Sequence, residues 1–354
     1  MKSKINEFKK ETQKNIRKTI KQVIGIDVSK DTFYVCMGII DQAQVVQVVT
    51  QSSFPNTAKG FKQLTDWKSK HVFPSVALFH VMEATGVYYE NLAYFLAEGK
   101  QNLCVLLPNK AKHFAKSLDI KTKTDKVDAA MLCRIGLERV LPIWQLPSPL
   151  MKQLKALGRE HRSLKNQMAK IKTRLHAYKH SYCPEKKTIT RLKRQHLFLQ
   201  KQHTEVEKEM RAYVKQDVHL KQRINNIEQV KGLGFMTIVT VIAETNGFAA
   251  IENAKQLASY SGMDIVMNQS GQYYGRTRIS KKGNSHIRSA LYLPAMSAIR
   301  YNTRLKQFYE NIMLKKTCGK VGIVAVARKM LILIYTLWKS NTIYDPMLNL
   351  QKII

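Results

Sequence analysis

A glycine-poor stretch in the middle of the chain is the feature that most limits its possible folds. From Leu150 to Val230 the sequence is almost free of glycine and rich in Lys, Arg, Gln and Glu. Apolar residues recur there at spacings of three and four, the period of an amphipathic helix; they include Leu154, Leu157, Leu164, Met168, Ile171 and Leu175. The pattern predicts two long helices, broken near Tyr182-Cys183-Pro184. A helical coiled-coil arm over residues 146–226 would then separate an N-terminal part of the chain from a C-terminal part.

Two roles remain open for this arm. It could be a solvated antiparallel coiled coil that only spaces two domains, or it could also dimerise or grip nucleic acid. The histidines of the arm have no paired acid or cysteine at ligand spacing, so we expect them on the surface.

Ahead of the arm, residues 22–145 alternate short β-branched or aromatic runs with helical patterns. The predicted strands are 23–28, 32–37, 44–49, 76–82 and 103–107, and the predicted helices are 57–69, 88–98 and 123–137. This order predicts an α/β domain with a mixed five-stranded sheet covered by helices. Residues 1–21 form a basic N-terminal segment without the apolar run or cleavage site of a secretory signal.

Residues 227–354 predict a second, mostly α-helical domain. The run Val230-Lys231-Gly232-Leu233-Gly234 leads into an apolar helix that ends at Glu244. This Gly-x-Gly turn is similar to a helix-hairpin-helix, in which backbone N–H groups meet a phosphate. Further helices are predicted at 254–260, 285–301 and 321–338, with a glycine-rich basic stretch after the first of them.

The charge of the chain indicates a polyanionic partner. Its 354 residues include 59 Lys and Arg against 25 Asp and Glu, a formal net charge of +34. Nucleic acids and anionic membranes are the abundant cellular polyanions. No stretch reaches the roughly 20 apolar residues of a spanning helix, and the longest candidate, 321–338, is interrupted by Arg328 and Lys329. We therefore expect nucleic acid, and no membrane, as the partner.

Four carboxylates stand at unusual positions for so basic a chain. Asp27 lies inside the first predicted strand, Glu83 ends the fourth, and Asp125 and Asp128 share one helix face. Any one of them alone would fit a salt bridge, but buried carboxylates are unfavourable unless a cation or donor compensates them. Oxygen ligands suit Mg²⁺ or Mn²⁺, and two such ions can clamp the attacking and leaving oxygens of a phosphodiester. All four acids in this order predict a metal centre.

Two blocks of motifs carry a family resemblance. The first comprises GIDVSK (25–30), MEATGVY (82–88) and KTDKVDA (123–129), and the second comprises ASYSG (258–262), QSG (269–271), ISKKGN (279–284) and IR (287–288). They resemble, respectively, the Asp-Glu-Asp-Asp motifs and the C-terminal transposase domain of the IS110 family of insertion-sequence transposases. The resemblance covers the chain after residue 22. It implies a RuvC-type, RNase H-like fold for residues 22–145.

The resemblance also implies a composite active site. Asp27, Glu83, Asp125 and Asp128 would hold Mg²⁺, and a serine of the other domain would attack DNA to give a covalent serine–DNA intermediate. Ser270 is our choice of nucleophile because Gly271 follows it and lets a backbone come close to phosphate. The rival serines are Ser261, Ser280 and Ser285. The residues predicted to contact nucleic acid are Lys30, Lys123, Gly271, Arg276, Arg278, Lys281, Lys282, Asn284 and Arg288.

The implied function is a transposase or recombinase that acts on element ends and target DNA. Relatives of this family use a structured RNA encoded by the element, so the resemblance implies a guide RNA as a second partner. It further implies a dimer or tetramer acting on the nucleoid in the bacterial cytoplasm. Two other functions stay open: a metal-dependent RuvC-like nuclease without a covalent intermediate, and a non-catalytic nucleic-acid-binding protein.

Overall fold

The computed structural model describes residues 19–84, 86–275 and 277–345. The predicted basic segment lies outside this range up to residue 18, and Arg276 lies outside it as well. The chain divides into two compact units, Met1–Leu146 and Pro147–Ile354. The finer division of the second unit into an arm (146–226) and a C-terminal domain (227–354) stays a prediction.

The first unit is built on a mixed five-stranded sheet, as predicted. Its strands are β1 (Thr19–Val28), β2 (Thr32–Asp41), β3 (Val46–Pro55), β4 (Leu78–Glu83) and β5 (Asn102–Leu106). They lie in the order β3-β2-β1-β4-β5. The first three strands are antiparallel neighbours, whereas β4 runs parallel to both β1 and β5. The central position of β1 places its side chains in the core on both faces of the sheet.

Helices cover both faces of this sheet. They are α1 (Ala58–His71), α2 (Glu90–Glu98), α3 (Pro108–Ser117) and α4 (Asp125–Glu138). Helices α1 and α2 pack on the face that carries Ile24 and Ile26, and α3 and α4 pack on the face that carries Val23 and Val81. The alternation of side chains along β1 therefore supplies two separate cores.

Two glycines let α4 lie very close to β1. A Cβ on Gly25 would stand 2.2 Å from both the Ala129 carbonyl oxygen and the Cys133 amide nitrogen. A Cβ on Gly136 would stand 2.7 Å from a methyl group of Val23. Because these neighbours are backbone or fully packed side chains, only glycine permits this approach. The two contacts also fix the direction of α4, which runs antiparallel to β1 with its N-terminus toward the carboxyl end of the strand.

Several elements of the first unit differ from the prediction. Strand β1 begins at Thr19 instead of 23, and β2 continues to Asp41 instead of ending at 37. Strand β3 was predicted over 44–49, but it begins at Val46 and continues to Pro55. Its polar second half pairs with β2 through the backbone, so it needs no apolar pattern. Helix α3 was not predicted, because Pro108 was taken as the end of a strand. Proline is favoured in the first turn of a helix, where no intrahelical N–H bond is lost.

The second unit is helical. Its helices are α5 (Pro149–Lys179), α6 (Lys186–Gln216), α7 (Val218–Glu228), α8 (Phe235–Glu244), α9 (Ala254–Ser261), α10 (Ser285–Tyr301), α11 (Thr303–Met313) and α12 (Gly319–Ser340). The two long helices that the periodicity predicts are α5 and α6, and the break between them falls where it was expected. Helices α7 and α11 were not predicted as separate elements. One hydrophobic cluster joins Leu164 and Met210 of the long helices with Ile238, Leu291 and Met330 of the later ones.

Helix α12 is the described helix that is long and apolar enough to cross a membrane by length and composition. Of its most apolar 18-residue window, 56% is buried inside the fold. Val326, Met330 and Ile334 are fully buried, and Lys329 lies 4.9 Å from the centre of the Phe308 ring. Packing within the second unit therefore accounts for the apolar face of α12, because core helices of folded proteins meet the same criteria.

Candidate active site

Asp27 and Glu83 stand side by side at the carboxyl ends of two parallel strands. Ile26 of β1 pairs with Met82 of β4, and the two acids are the next residue on each strand. Side chains at matching positions of parallel neighbours point to the same face, which here is the face that α4 covers. Both side chains are half-buried.

Asp125 and Asp128 lie in the first turn of α4. Thr124 caps this helix through its Oγ1 atom, which accepts a hydrogen bond from the Val127 amide at 3.3 Å. Acidic residues in a first helical turn are stabilised by the helix dipole. The N-terminus of α4 points toward the carboxyl end of β1, so the structure brings all four predicted carboxylates to one edge of the sheet.

These carboxylates affect one another electrostatically. Burial raises the pKa of Asp27 to about 6, and the charges of Asp128, Asp125 and Glu83 add to the rise, while Lys123 opposes it. Burial also raises the pKa of Asp128, with Lys123 lowering it and Asp125 raising it. Mutual repulsion of this kind is relieved when a divalent cation binds among the oxygens.

The four acids do not form a ready coordination shell. Over residues 19–84, 86–275 and 277–345, no group of three or more His, Cys, Asp or Glu side chains is close enough to hold a metal ion. The donor set nevertheless fits a divalent cation that prefers oxygen, because it consists of carboxylates alone. A bound cation would have to draw the four carboxylates closer together.

Ser270 lies on an exposed hairpin of the second unit. It ends β6 (Gln269–Ser270) and pairs with Tyr273 of β7 (Tyr273–Tyr274). Gly271 follows in the turn with φ of +55°, and nothing lies within 4 Å of a Cβ built on it. Ser270 and both tyrosines are exposed. The hairpin therefore presents the Ser270 side chain to solvent, next to two aromatic rings.

The rival serines are placed differently. Ser261 is fully buried, and its hydroxyl donates to the Ala258 carbonyl at 2.9 Å. The Ser280 hydroxyl is hydrogen-bonded to the Asp264 carboxylate. Ser285 is exposed at the first position of α10. The fold therefore uses the hydroxyls of Ser261 and Ser280, which favours Ser270 and Ser285 as accessible groups.

The predicted nucleic-acid contacts fall into two groups. The exposed ones are Lys30, Lys123, Gly271, Arg278, Lys281 and Lys282. Asn284 and Arg288 are instead held by the fold. Asn284 caps α10 through the His286 and Ile287 amides, and Arg288 donates to the carbonyls of Ser261 at 2.6 Å and Gly283 at 3.0 Å. The structure thus gives these two side chains a role in shaping the loop, and their contact with nucleic acid stays a prediction.

A carboxylate stands near the Gly-x-Gly turn where a phosphate was expected. The Glu228 side chain accepts a hydrogen bond from the Phe235 amide at 3.1 Å, at the N-terminus of α8. Gly232 in the turn has φ of +99°, and a Cβ on it would lie 2.7 Å from the Ala298 Cβ. Close packing on α10 is therefore a sufficient reason for this glycine.

A buried ion pair in the second unit was not predicted. Glu244 is 3% exposed, and Arg159 donates to its two oxygens at 2.7 and 3.1 Å. Asn284 donates to it at 2.8 Å. Burial would raise the pKa of Glu244, but these hydrogen bonds outweigh it and lower the pKa below its ordinary value. The only sequence signal was a single acid at the end of an apolar helix.

The expectation that the histidines of the long helices lie on the surface is wrong for three of them. His161, His196 and His203 are half-buried, and the rings of His161 and His203 stand 4.0 Å apart. Burial lowers the pKa of His161 to about 4, with a further contribution from His203. These residues face neighbouring helices, which a helical period alone does not reveal.

The chain is similar to known transposases and recombinases. Residues 24–184 match the model of the transposase family DEDD_Tnp_IS110, and residues 224–310 match that of the transposase IS116/IS110/IS902 family. Pilin gene-inverting proteins of Moraxella bovis and Moraxella lacunata are each 29% identical over 340 residues, which cover 93% of this chain and 99% of each relative. A Ppx/GppA family member of Aquifex aeolicus, a solved structure, aligns with 27% of this chain and 38% of its own at 12% identity, with a TM-score of 0.20. That likeness carries no weight for the fold.

The matches define a DNA transposase or recombinase. The chain belongs to the IS110 family of transposases. Membership implies a DNA substrate and dependence on a divalent metal ion.

Proposed function

We propose that this transposase cuts and rejoins DNA through a covalent serine–DNA intermediate, under the direction of an RNA encoded by its element. The observation that carries the proposal is the gathering of Asp27, Glu83, Asp125 and Asp128 at one sheet edge, where burial and then the neighbouring negative charges raise the pKa of Asp27. The exposed Ser270 hairpin, in the second family block, supplies the nucleophile. Support for the RNA comes from the family resemblance and from a net charge of +34, which is sufficient for two nucleic acids.

The four carboxylates would hold Mg²⁺, or Mn²⁺ in its place. Such an ion supplies charge stabilisation at the phosphodiester oxygens. Asp27 and Glu83 contribute ligands from rigid neighbouring strands, and Asp125 and Asp128 contribute theirs from the first turn of α4. Lys123 would complement the phosphate charge beside them.

The Ser270 Oγ atom would attack the phosphorus of the DNA backbone. A bond from Oγ to phosphorus forms as the bond to the 3′ oxygen breaks, the hydroxyl proton is released, and the 3′ oxygen takes up a proton as it leaves. A second strand then reverses the step, because its 3′ hydroxyl displaces Oγ from phosphorus. The phosphodiester bond energy is retained in the serine ester, so rejoining needs no further co-reactant.

Finer features of the architecture belong to the same proposal. The sheet order β3-β2-β1-β4-β5 supports an RNase H-like fold of RuvC type for residues 22–145. The packed pair α5 and α6 supports a coiled-coil arm. Recombination joins strands of two duplexes, so we propose a dimer or tetramer that acts on the nucleoid in the bacterial cytoplasm.

A denaturing gel with labelled DNA and Mg²⁺ tests the serine. The wild-type protein should give a protein–DNA adduct and strand exchange, and Ser270→Ala should lose both while it still binds DNA, because only the attacking oxygen is removed. Ser285→Ala is the matched control, since it removes an exposed serine of the same unit, and it should form the adduct normally. If Ser270→Ala cleaves DNA at a rate near that of the wild type, water is the nucleophile and the protein is a RuvC-like nuclease.

The same gel tests the carboxylates. Asp27→Asn, Glu83→Gln, Asp125→Asn and Asp128→Asn should each abolish strand transfer and keep nucleic-acid binding, because they remove ligand charge and little volume. Unfolding of all four variants would show that the acids are structural. A wild-type protein that gives neither cutting nor adduct would be a non-catalytic binding protein.

A further inference from the structure

The second unit contains a cavity that neither the carboxylates nor the Ser270 hairpin uses. It has a volume of about 400 Å³ and lies between α5, α8 and α10. Cavities that bind small molecules or single groups of a polymer usually measure about 300–1,000 Å³. The size therefore fits a ligand group much larger than a water molecule or a simple ion.

Positive charge dominates the lining of this cavity. Lys155, Arg162 and Lys165 contribute cations from one face of α5. The one acid of the lining is Glu244, and its two oxygens already accept hydrogen bonds from Arg159 and Asn284. The cavity thus favours an anionic group.

The rest of the lining combines two imidazole rings and apolar side chains with the small polar side chains of Asn166, Thr237, Thr240 and Ser289. His161 and His286 border the cavity, and burial lowers the pKa of both rings, so they are neutral at pH 7. Leu154, Met236 and Leu293 supply apolar surface. Neutral planar rings beside apolar side chains suit a flat heteroaromatic group, such as a nucleobase.

Gly158 adds an independent sign that this space serves a ligand. It lies in the interior of α5 and lines the cavity. A Cβ on it would meet nothing closer than the Met210 Cε at 3.8 Å and the Thr240 Oγ1 at 3.9 Å, which are ordinary contacts. Glycine destabilises a helix interior relative to alanine, and no packing contact requires it here, in contrast to Gly25. Its effect is to keep the floor of the cavity open.

We propose that this cavity binds one unpaired nucleotide of a nucleic-acid strand. The cations of α5 would hold its phosphate, and the imidazoles and apolar floor would receive its base. A paired base cannot enter such a cavity without leaving the stack, so the site selects single-stranded or extruded nucleotides. The inference requires only that the chain acts on nucleic acid, and it is independent of Ser270 and of the metal ion.

Photo-crosslinking tests this assignment. Single-stranded DNA with one 4-thiothymidine and single-stranded RNA with one 4-thiouridine are irradiated with Ser270→Ala protein in EDTA, so that neither serine nor metal chemistry takes part. We expect crosslinked peptides from 154–166, 236–244 or 286–294, the three segments that line the cavity, and the arm that reacts, DNA or RNA, identifies the strand. Crosslinks confined to other segments would overturn the assignment.

Variants of α5 provide matched controls. In the same background, Gly158→Leu should fill the cavity, remove the crosslink and weaken single-strand binding about tenfold or more, while Gly158→Ala, which adds one methyl group to the floor, should reduce both to a smaller extent. Lys165→Gln should reduce the log–log salt slope of binding by about 0.7, while Lys170→Gln, an exposed cation of α5 that does not line the cavity, should leave binding at the cavity intact.

Two results would contradict the proposal. A folded Gly158→Leu protein that binds and crosslinks like its parent would show that the cavity is not the site. If Gly158→Leu fails to fold, the salt dependence of binding by Lys165→Gln becomes the test. Equal losses of binding in Lys165→Gln and Lys170→Gln would show general attraction of nucleic acid to a basic surface and would contradict a specific site. A crosslink in Ser270→Ala protein, which should form no serine–DNA adduct, would show that nucleotide binding in the cavity does not depend on the proposed serine chemistry.

Discussion

Replacing Asp27 by Asn should make the metal-free protein more stable, although we expect it to abolish strand transfer. The pKa of Asp27 is raised from 3.8 to about 6 by burial and by the neighbouring carboxylates. One pKa unit corresponds to about 1.4 kcal/mol, so the charged form destabilises the fold by at most about 3 kcal/mol. The side chain is half-buried, and solvent screening reduces this to about 1–2 kcal/mol. For a unit of this size we expect the Tm to rise by about 2–8 °C at pH 8.

The sign of the pH dependence follows from the direction of that shift. A raised pKa means that the folded state binds the proton more tightly than the unfolded chain does, so wild-type stability falls as the pH rises from 3.8 to about 6. The advantage of Asp27→Asn should be absent near pH 4, grow through this window and stay constant above it. Thermal unfolding of both proteins in EDTA, followed by circular dichroism from pH 4 to pH 8, measures the difference.

Adding Mg²⁺ completes the test. The cation should stabilise the wild-type protein more than the variant, because it binds the folded state through the charge that was removed. A variant that is no more stable than the wild type at pH 8, or a stability difference that does not shrink toward pH 4, would refute the electrostatic account of this site.

Two further predictions concern packing and the buried ion pair. Gly25→Ala should lower the free energy of unfolding, measured by urea titration, by about 3 kcal/mol or more, because its Cβ would overlap the backbone of α4 and overpacking of side chains alone costs about 1–3 kcal/mol. Gly158→Ala should instead raise that free energy by about 0.5–1 kcal/mol. Glu244→Gln should lower the free energy of unfolding by about 1–3 kcal/mol at pH 7. The loss stays in this range because the Arg159 side chain is 48% exposed and can be hydrated by water once its partner charge is gone. Because the pKa of Glu244 is lowered from 4.5, the wild type should lose this stabilisation as the pH falls below 4.5, and a constant difference between the two proteins at lower pH would contradict it.

Hydrophobic periodicity was enough to predict the main elements of both units. The strands of the sheet and the long helices α5 and α6 each repeat a local pattern over many residues, so their type follows from the sequence alone. Element ends were less certain, because β3 extends by backbone pairing and α3 begins at a proline. The motif resemblance identified the four carboxylates, but only the register of β1 and β4 shows that Asp27 and Glu83 are neighbours.

The features that the sequence did not reveal depend on contacts between distant residues. Arg159 and Glu244 are 85 positions apart, and no spacing rule connects them. Gly158 and Gly25 look alike in a sequence, yet one faces open space and the other faces backbone at 2.2 Å. Such differences arise from tertiary packing, which local propensity does not encode.

The close packing of α4 on β1 also determines when, during synthesis and folding, the set of four acids is complete. The four acids come from β1, β4 and α4, so Asp27 and Glu83 are not neighbours until β1 has paired with β4, and Asp125 and Asp128 join them only when α4 packs on β1. Synthesis must therefore reach α4 before the carboxylates can meet. Under the proposed mechanism, a chain truncated before Asp125 lacks two of the four acids and should cut no DNA.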